Sequence, residues 1–251
     1  MSREERLQAA RIQIAAVESA PARNAGGKVL PFGDGRIDSQ LAGGGLRLGR
    51  WHQAGSEGRE AETAAAAAAF FALAALPLAN LGAMVWIMRR GDLYAPGLAG
   101  LGFPAERLIQ VEAGAQGVLS ALEDALSSSG VAAAFGETDE ISLLSGRRLQ
   151  LACEKSGATG FVIRRRPFGG PLALTSSAAE SRWTIAPWPS FPAAGNLGLG
   201  EPRWRVVLER SRGGGSGTWI MEKSHGAHPL RVVDELAGRG LSAPPSLRLA
   251  G

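Results

Sequence analysis

From Pro31 onward, short apolar runs alternate with helical patterns, which predicts an α/β protein built on a mainly parallel sheet. Two further observations refine this. Ala83–Met88 is an apolar strand, and the small-residue run Val131–Phe135 suits a strand buried on both faces if parallel. The last third carries strand-like runs with no helical pattern between them, which predicts a C-terminal antiparallel extension. The 251 residues suffice for one medium domain with appendages. The chain divides into an N-terminal helix and linker (1–29), the α/β domain (30–236) and a flexible tail (237–251), the tail holding Gly238, Gly240, Pro244 and Pro245 without periodicity.

The elements follow in order. Ser2 with Glu5 forms a capping box, and Leu7, Ala10, Ile14 and Val17 recur on one helical stripe that ends before Pro21. That helix either docks on its own domain or is offered to a partner. Arg50–Ala54 is a first strand, followed by a Gly55–Gly58 turn and a helix over about 60–76. Ala83–Met88 and Leu108–Val111 are the next strands. Ala115, Val118, Leu119, Leu122, Ala125 and Leu126 then follow the spacing of a packed helix. Val131–Phe135 is a strand, and Ser142–Ser156 a helix with Arg147, Gln150 and Glu154 on its polar line and Leu149, Ala152 and Cys153 inward. Gly160–Ile163 is a fifth strand. Trp183–Trp188, Trp204–Leu208 and Thr218–Met221 form the antiparallel extension.

Composition excludes several classes. A single cysteine, Cys153, rules out an internal disulfide framework and a multi-cysteine metal cage. The charged opening Ser2–Arg11 is unlike a signal peptide, and the uncharged Thr63–Met88 run, with Pro77 and Asn80, reads as a buried helix and strand rather than a membrane span. A cytoplasmic protein is expected. Of 27 basic residues only 3 are lysine, and residues 147–212 hold eleven basic residues against four acidic ones. This basic field is able to attract a polyanion or an acidic protein. The arginines that carry it are Arg147, Arg148, Arg164, Arg165, Arg166, Arg203, Arg205, Arg210 and Arg212; Arg203 and Arg205, at alternate positions, share a face. They are either a solvated surface or a contact for nucleic-acid phosphates or carboxylates.

A strand, a glycine turn and a helix is the setting of a phosphate-binding loop. Here the loop reads Gly55-Ser56-Glu57-Gly58-Arg59, with no lysine between Lys28 and Lys155 and with Glu57, Glu60 and Glu62 where a triphosphate would sit. The loop is degenerate, so neither an enzyme nor a cofactor is expected, unless Arg59 replaces the lysine. Glu137, Asp139 and Glu140 follow the Val131–Phe135 strand, where a magnesium-holding acid would sit. Without a phosphate loop they read as a polar loop. Glu222, His225 and His228 are broken by Gly226 and Pro229 and do not read as metal ligands. His52 reads as core or edge packing, and Cys153 as a small apolar residue.

A set of segments resembles the ImuA family. They are Leu30-Pro31-Phe32-Gly33, Ile37-Asp38, Gly43-Gly44-Gly45-Leu46, Gly49-Arg50-Trp51-His52, Leu93–Leu98, Ser145–Ala152, Gly157–Gly160, Pro202–Arg205 and Arg210–Gly214, in order over about 30–222. The resemblance implies a RecA-like core whose phosphate loop has degenerated. It further implies a non-catalytic accessory role in SOS mutagenesis and translesion synthesis. The partners it implies are ImuB, RecA and, through ImuB, an error-prone C-family DNA polymerase, with single-stranded DNA as a further candidate and no membrane. Three rivals stay open: an ATPase using Arg59, a SulA-like inhibitor of cell division, and a plain DNA-binding module.

Overall fold

The structure is a computed structural model, and residues 28–57, 60–165, 178–192 and 198–235 are described. The expected N-terminal helix, the C-terminal tail, Gly58, Arg59 and Arg166 lie outside the described residues. A small antiparallel pair, β1 (Val29–Leu30) with β2 (Leu46–Arg47), brackets a one-turn helix α1 (Gly35–Asp38). A nine-stranded sheet follows. In chain order its elements are β3 (Trp51–Ser56), α2 (Glu60–Ala75), β4 (Ala83–Met88), α3 (Ala95–Gly100), β5 (Leu108–Glu112), α4 (Gly114–Ser127), β6 (Val131–Thr138), α5 (Leu143–Ser156), β7 (Thr159–Arg164), β8 (Ser181–Trp188), β9 (Arg203–Ser211), β10 (Gly217–Lys223) and β11 (Leu230–Glu235). Their order across the sheet is β11-β10-β9-β8-β3-β7-β6-β4-β5. The strands from β8 to β5 run parallel, and β9, β10 and β11 are antiparallel.

Helices cover both faces of the parallel part, which is why its strands read as continuous apolar runs. On one face α2 sets Phe70 and Phe71 against Phe161 and Trp183. Beneath them a single cross-strand row runs Trp86, Phe135, Phe161, His52 and Ser181 over β4, β6, β7, β3 and β8. Its rings stack, with centroids 4.4 Å apart for Trp86–Phe135 and 5.1 Å for Phe135–Phe161. On the other face α4 and α5 bury Val118, Leu122, Leu126, Leu149 and Cys153 over Val85, Ile87, Trp51 and Val162. Gly146 lets α5 approach β3 closely, because a Cβ there would meet the Trp51 ring at 3.0 Å. Ser142 caps the start of α5 by accepting from the Ser145 N–H, and Gly157 closes its end at φ +82°.

Several sequence expectations are corrected. The first strand runs to Ser56 rather than Ala54, so Gly55 and Ser56 are not a turn: β7 pairs with Gly55, and β8 pairs with both residues. β6 runs to Thr138, which puts Glu137 inside a strand and 3% exposed, not in a polar loop. β8 is parallel to β3, so the antiparallel extension begins one strand later than its sequence suggests. β11 is an additional strand, made by pairing with β10 across a bulge at Ile220/Met221. No helix among the described residues is long and apolar enough to cross a membrane.

Candidate functional site

In an open α/β sheet a ligand crevice lies outside the carboxyl ends of the strands, where neighbouring connections leave in opposite directions. Here that place is beside β3 and β7: β3 leads through α2 to β4, and β7 is followed by β8 on the other side of β3. The groups gathered at this edge are Ser56 and Glu57 at the end of β3, Glu137 and Asp139 around the end of β6, Arg164 and Arg165 at the end of β7, and Arg89, Arg90 and Asp92 after β4.

Nearly all of them are occupied with one another. The Trp86 indole donates to Glu137 Oε1 at 2.8 Å, and Arg165 donates to Glu137 Oε2 at 2.7 Å. The same guanidinium reaches Asp92 through both terminal nitrogens, at 2.9 and 3.1 Å. Burial opposes the charge on Arg165, but the hydrogen bonds and charges of Asp92 and Glu137 outweigh it and hold the side chain firmly protonated. The hydrogen bond from Arg165 likewise holds the Asp92 carboxyl below the usual carboxylate range. Arg89 pairs with Asp139 at 2.8 Å, and Arg164 donates to the Asp139 carbonyl from Nε (3.1 Å) and Nη2 (2.7 Å). Glu57 is joined to the buried Arg205 of β9.

A magnesium-holding acid must have free lone pairs and open access. Glu137 is 3% exposed and each of its oxygens already accepts a hydrogen bond, so it lacks that access. Glu57 puts a carboxylate just after β3, where a phosphate would need donors. No group of three metal-ligating side chains occurs among the described residues.

No family model matches the chain. Protein ImuA of Caulobacter vibrioides (strain NA1000 / CB15N) is 52% identical over 234 residues, which span 89% of this chain and 96% of that protein. Protein ImuA of strain ATCC 19089 / CIP 103742 / CB 15 matches to the same extent. The chain belongs to the ImuA family.

The arginines singled out in this ImuA-family sequence do not form one patch. Arg147 and Arg148 lie exposed on α5, the latter paired with Glu123 of α4 at 2.7 Å. Arg164 and Arg165 belong to the edge just described. Arg203 and Arg205 share a face of β9, as their spacing predicts, but both are ion-paired: Arg203 donates to Glu222 at 2.5 Å, and Arg231 of β11 binds the other oxygen of that carboxylate. Arg210 and Arg212 lie exposed at the opposite end of β9, with Arg212 reaching the Ala178 carbonyl at 3.4 Å.

Sequence reading missed Arg89, Asp92 and Trp86. The available signal was Arg89-Arg90 directly after an apolar parallel strand, the position where such a sheet faces its crevice.

His52 and Ser181 form a second polar cluster, with Oγ 2.7 Å from Nδ1. Both are 1% exposed, and the Trp183 indole donates to the same Oγ at 2.7 Å. Burial pushes the imidazole down to about 4, so it stays neutral with Nε2–H donating to the Arg47 carbonyl. A nucleophile needs substrate access, which this pair lacks. Cys153, whose thiol burial pushes up to about 12, is equally shielded.

Proposed function

We propose that this ImuA-family chain is a non-catalytic accessory protein of damage-induced (SOS) mutagenesis and translesion DNA synthesis, linking ImuB and an error-prone C-family DNA polymerase to RecA at damaged DNA. The observation that carries the reading is the closure of the sheet's carboxyl edge. Arg165 holds Glu137 and Asp92 together where a nucleotide hydrolase would keep an acid open for magnesium. A scaffold of the RecA type that has exchanged nucleotide chemistry for internal ion pairs keeps its surfaces and offers them to partners. Fold kinship alone would not establish this, so the weight rests on the site.

On this reading residues 30–236 are the RecA-like domain, flanked by 1–29 and 237–251. Among the eight of these arginines that are described, Arg147, Arg148, Arg210 and Arg212 are the exposed ones for a partner or DNA. Arg164, Arg165, Arg203 and Arg205 hold the fold's edges.

The test is genetic and biochemical together. Deletion is expected to bring the mutation frequency after DNA damage down to the undamaged level, with the full chain restoring it. Tagged protein from nuclease-treated extracts is expected to retain RecA and ImuB. Unchanged mutagenesis in the deletion strain overturns the reading. So does saturable ATP binding that is lost in Arg59→Ala, or cell filamentation on overexpression with direct binding to the division GTPase.

A further inference from the structure

Helix α5 has two apolar lines, and only one of them is needed by the fold. Gly146, Leu149, Ala152, Cys153 and Ser156 are buried against the sheet. Leu144 and Leu151, on the opposite side, are 73% and 59% exposed. Seven residues apart, they lie on one face at about 10.5 Å along the axis. Arg147 stands between them and Lys155 beyond, both exposed, while Arg148 is drawn aside to Glu123. The surface is preformed, because the helix is capped at both ends and packed along its length, so a ligand need not order it.

Leucines seven apart with basic residues beside them are a face that a second amphipathic helix can pack against. Resting on the accessory-protein reading, we propose that the outward face of α5 is the docking surface for an acidic amphipathic helix of a protein partner, its apolar residues on Leu144 and Leu151 and its carboxylates on Arg147 and Lys155. Other occupants fit less well. Nucleic-acid phosphates gain nothing from two central leucines. A second copy, paired antiparallel about a two-fold axis, would match leucine to leucine but press the arginines between them onto each other. Residues 2–18 of the chain carry three arginines (Arg3, Arg6, Arg11) against three glutamates (Glu4, Glu5, Glu18) and so offer no net charge to complement.

The experiment places a benzophenone amino acid at Leu144 or Leu151 of the full chain, in damage-treated cells, and sequences the crosslinked peptides. The expected product joins α5 to a segment of another protein with apolar residues at helical spacing flanked by Asp or Glu. Its yield should fall on the order of tenfold when Arg147→Glu and Lys155→Glu are combined. Crosslinks to residues 1–27, to a second copy, to nucleic acid or to a peptide without acids overturn the proposal, as does no crosslink or a yield indifferent to the charge reversal. The crosslink alone judges the surface. Damage-induced mutation frequency in the deletion strain judges the accessory reading, so the two fail separately.

Discussion

One row of side chains crosses the parallel sheet from Trp86 to Ser181, and its two ends solve the problem of buried polarity in opposite ways. At the β4 end, Trp86 hands its N–H to Glu137, which is ion-paired with Arg165, and Arg165 in turn with Asp92. At the β8 end the row itself carries no charge, although the Arg47–Glu180 ion pair lies beside it. Trp183 donates to Ser181, Ser181 to His52, and His52 to the Arg47 carbonyl, a closed chain of neutral groups. The lesson is one of position. The charged end lies at the carboxyl edge, where guanidinium stems reach in from loops and solvent relieves part of the cost. The neutral end lies under α2 and β2, where His52 bonds only a hydroxyl and a backbone carbonyl and an imidazolium would have no carboxylate of its own.

The comparison is broken most severely by Arg165→Met, which strands Glu137 beside an apolar group. A loss of about 4 kcal/mol of unfolding free energy is expected by denaturant titration, and Glu137→Gln in the same chain should recover much of it. If Arg165→Met costs nothing, the edge is not held by charge.

Acid distinguishes the two ends next. The unfolded chain protonates His52 below about 6.5 while the folded chain resists until about 4. Between these values the unfolded state binds more protons, so stability falls as pH drops through that window, by about 3 kcal/mol in all. Asp92 works lower down: its depressed carboxyl contributes stability above its ordinary value of 3.8, which is lost as pH falls further. Unfolding curves at pH 7, 5.5 and 4 should therefore show the first loss in the wild type and a flatter profile in His52→Gln.

Ser181→Ala tests the neutral chain without touching any charge. It leaves the Trp183 indole N–H and His52 Nδ1 unpaired in the core, for an expected cost of about 2 kcal/mol. Loss of fluorescence coincident with loss of helicity would show that the unfolding stays two-state.

Much of this architecture is legible in the chain. Ala83–Met88 and the stripe Val118, Leu122, Ala125 and Leu126 declare themselves by continuous and helical hydrophobicity, because burial on both faces or on one leaves that trace. What escapes is decided by distant partners. Gly55-Ser56 reads as a turn, yet β8 zips it into the sheet from a strand far along the chain. Leu230–Glu235 directly follows Pro229 and mixes charged residues with its apolar ones, and pairing with β10 makes it a strand. The stretch after β3 is legible as one without the lysine that a phosphate loop needs. The closure of the carboxyl edge is not, since the groups that meet Arg165 lie 28 and 73 residues away.

The smallest effect sharpens the comparison most, because it separates a buried charge from a rim charge at the same edge. Glu57 binds Arg205 as Glu137 binds Arg165, but the Glu57 side chain is 49% exposed and that of Glu137 only 4%. In Glu57→Gln the amide oxygen still accepts from the Arg205 guanidinium. What disappears is Coulomb attraction that water and salt already screen. The expected cost is below about 1 kcal/mol, and it should shrink further in high salt. A loss as large as that of Arg165→Met would mean that Glu57 is sealed from solvent and that the crevice beside β3 is closed by charge over its whole length. A small loss leaves Ser56 and Glu57 as the loose side of the edge, with the rigid side at Glu137.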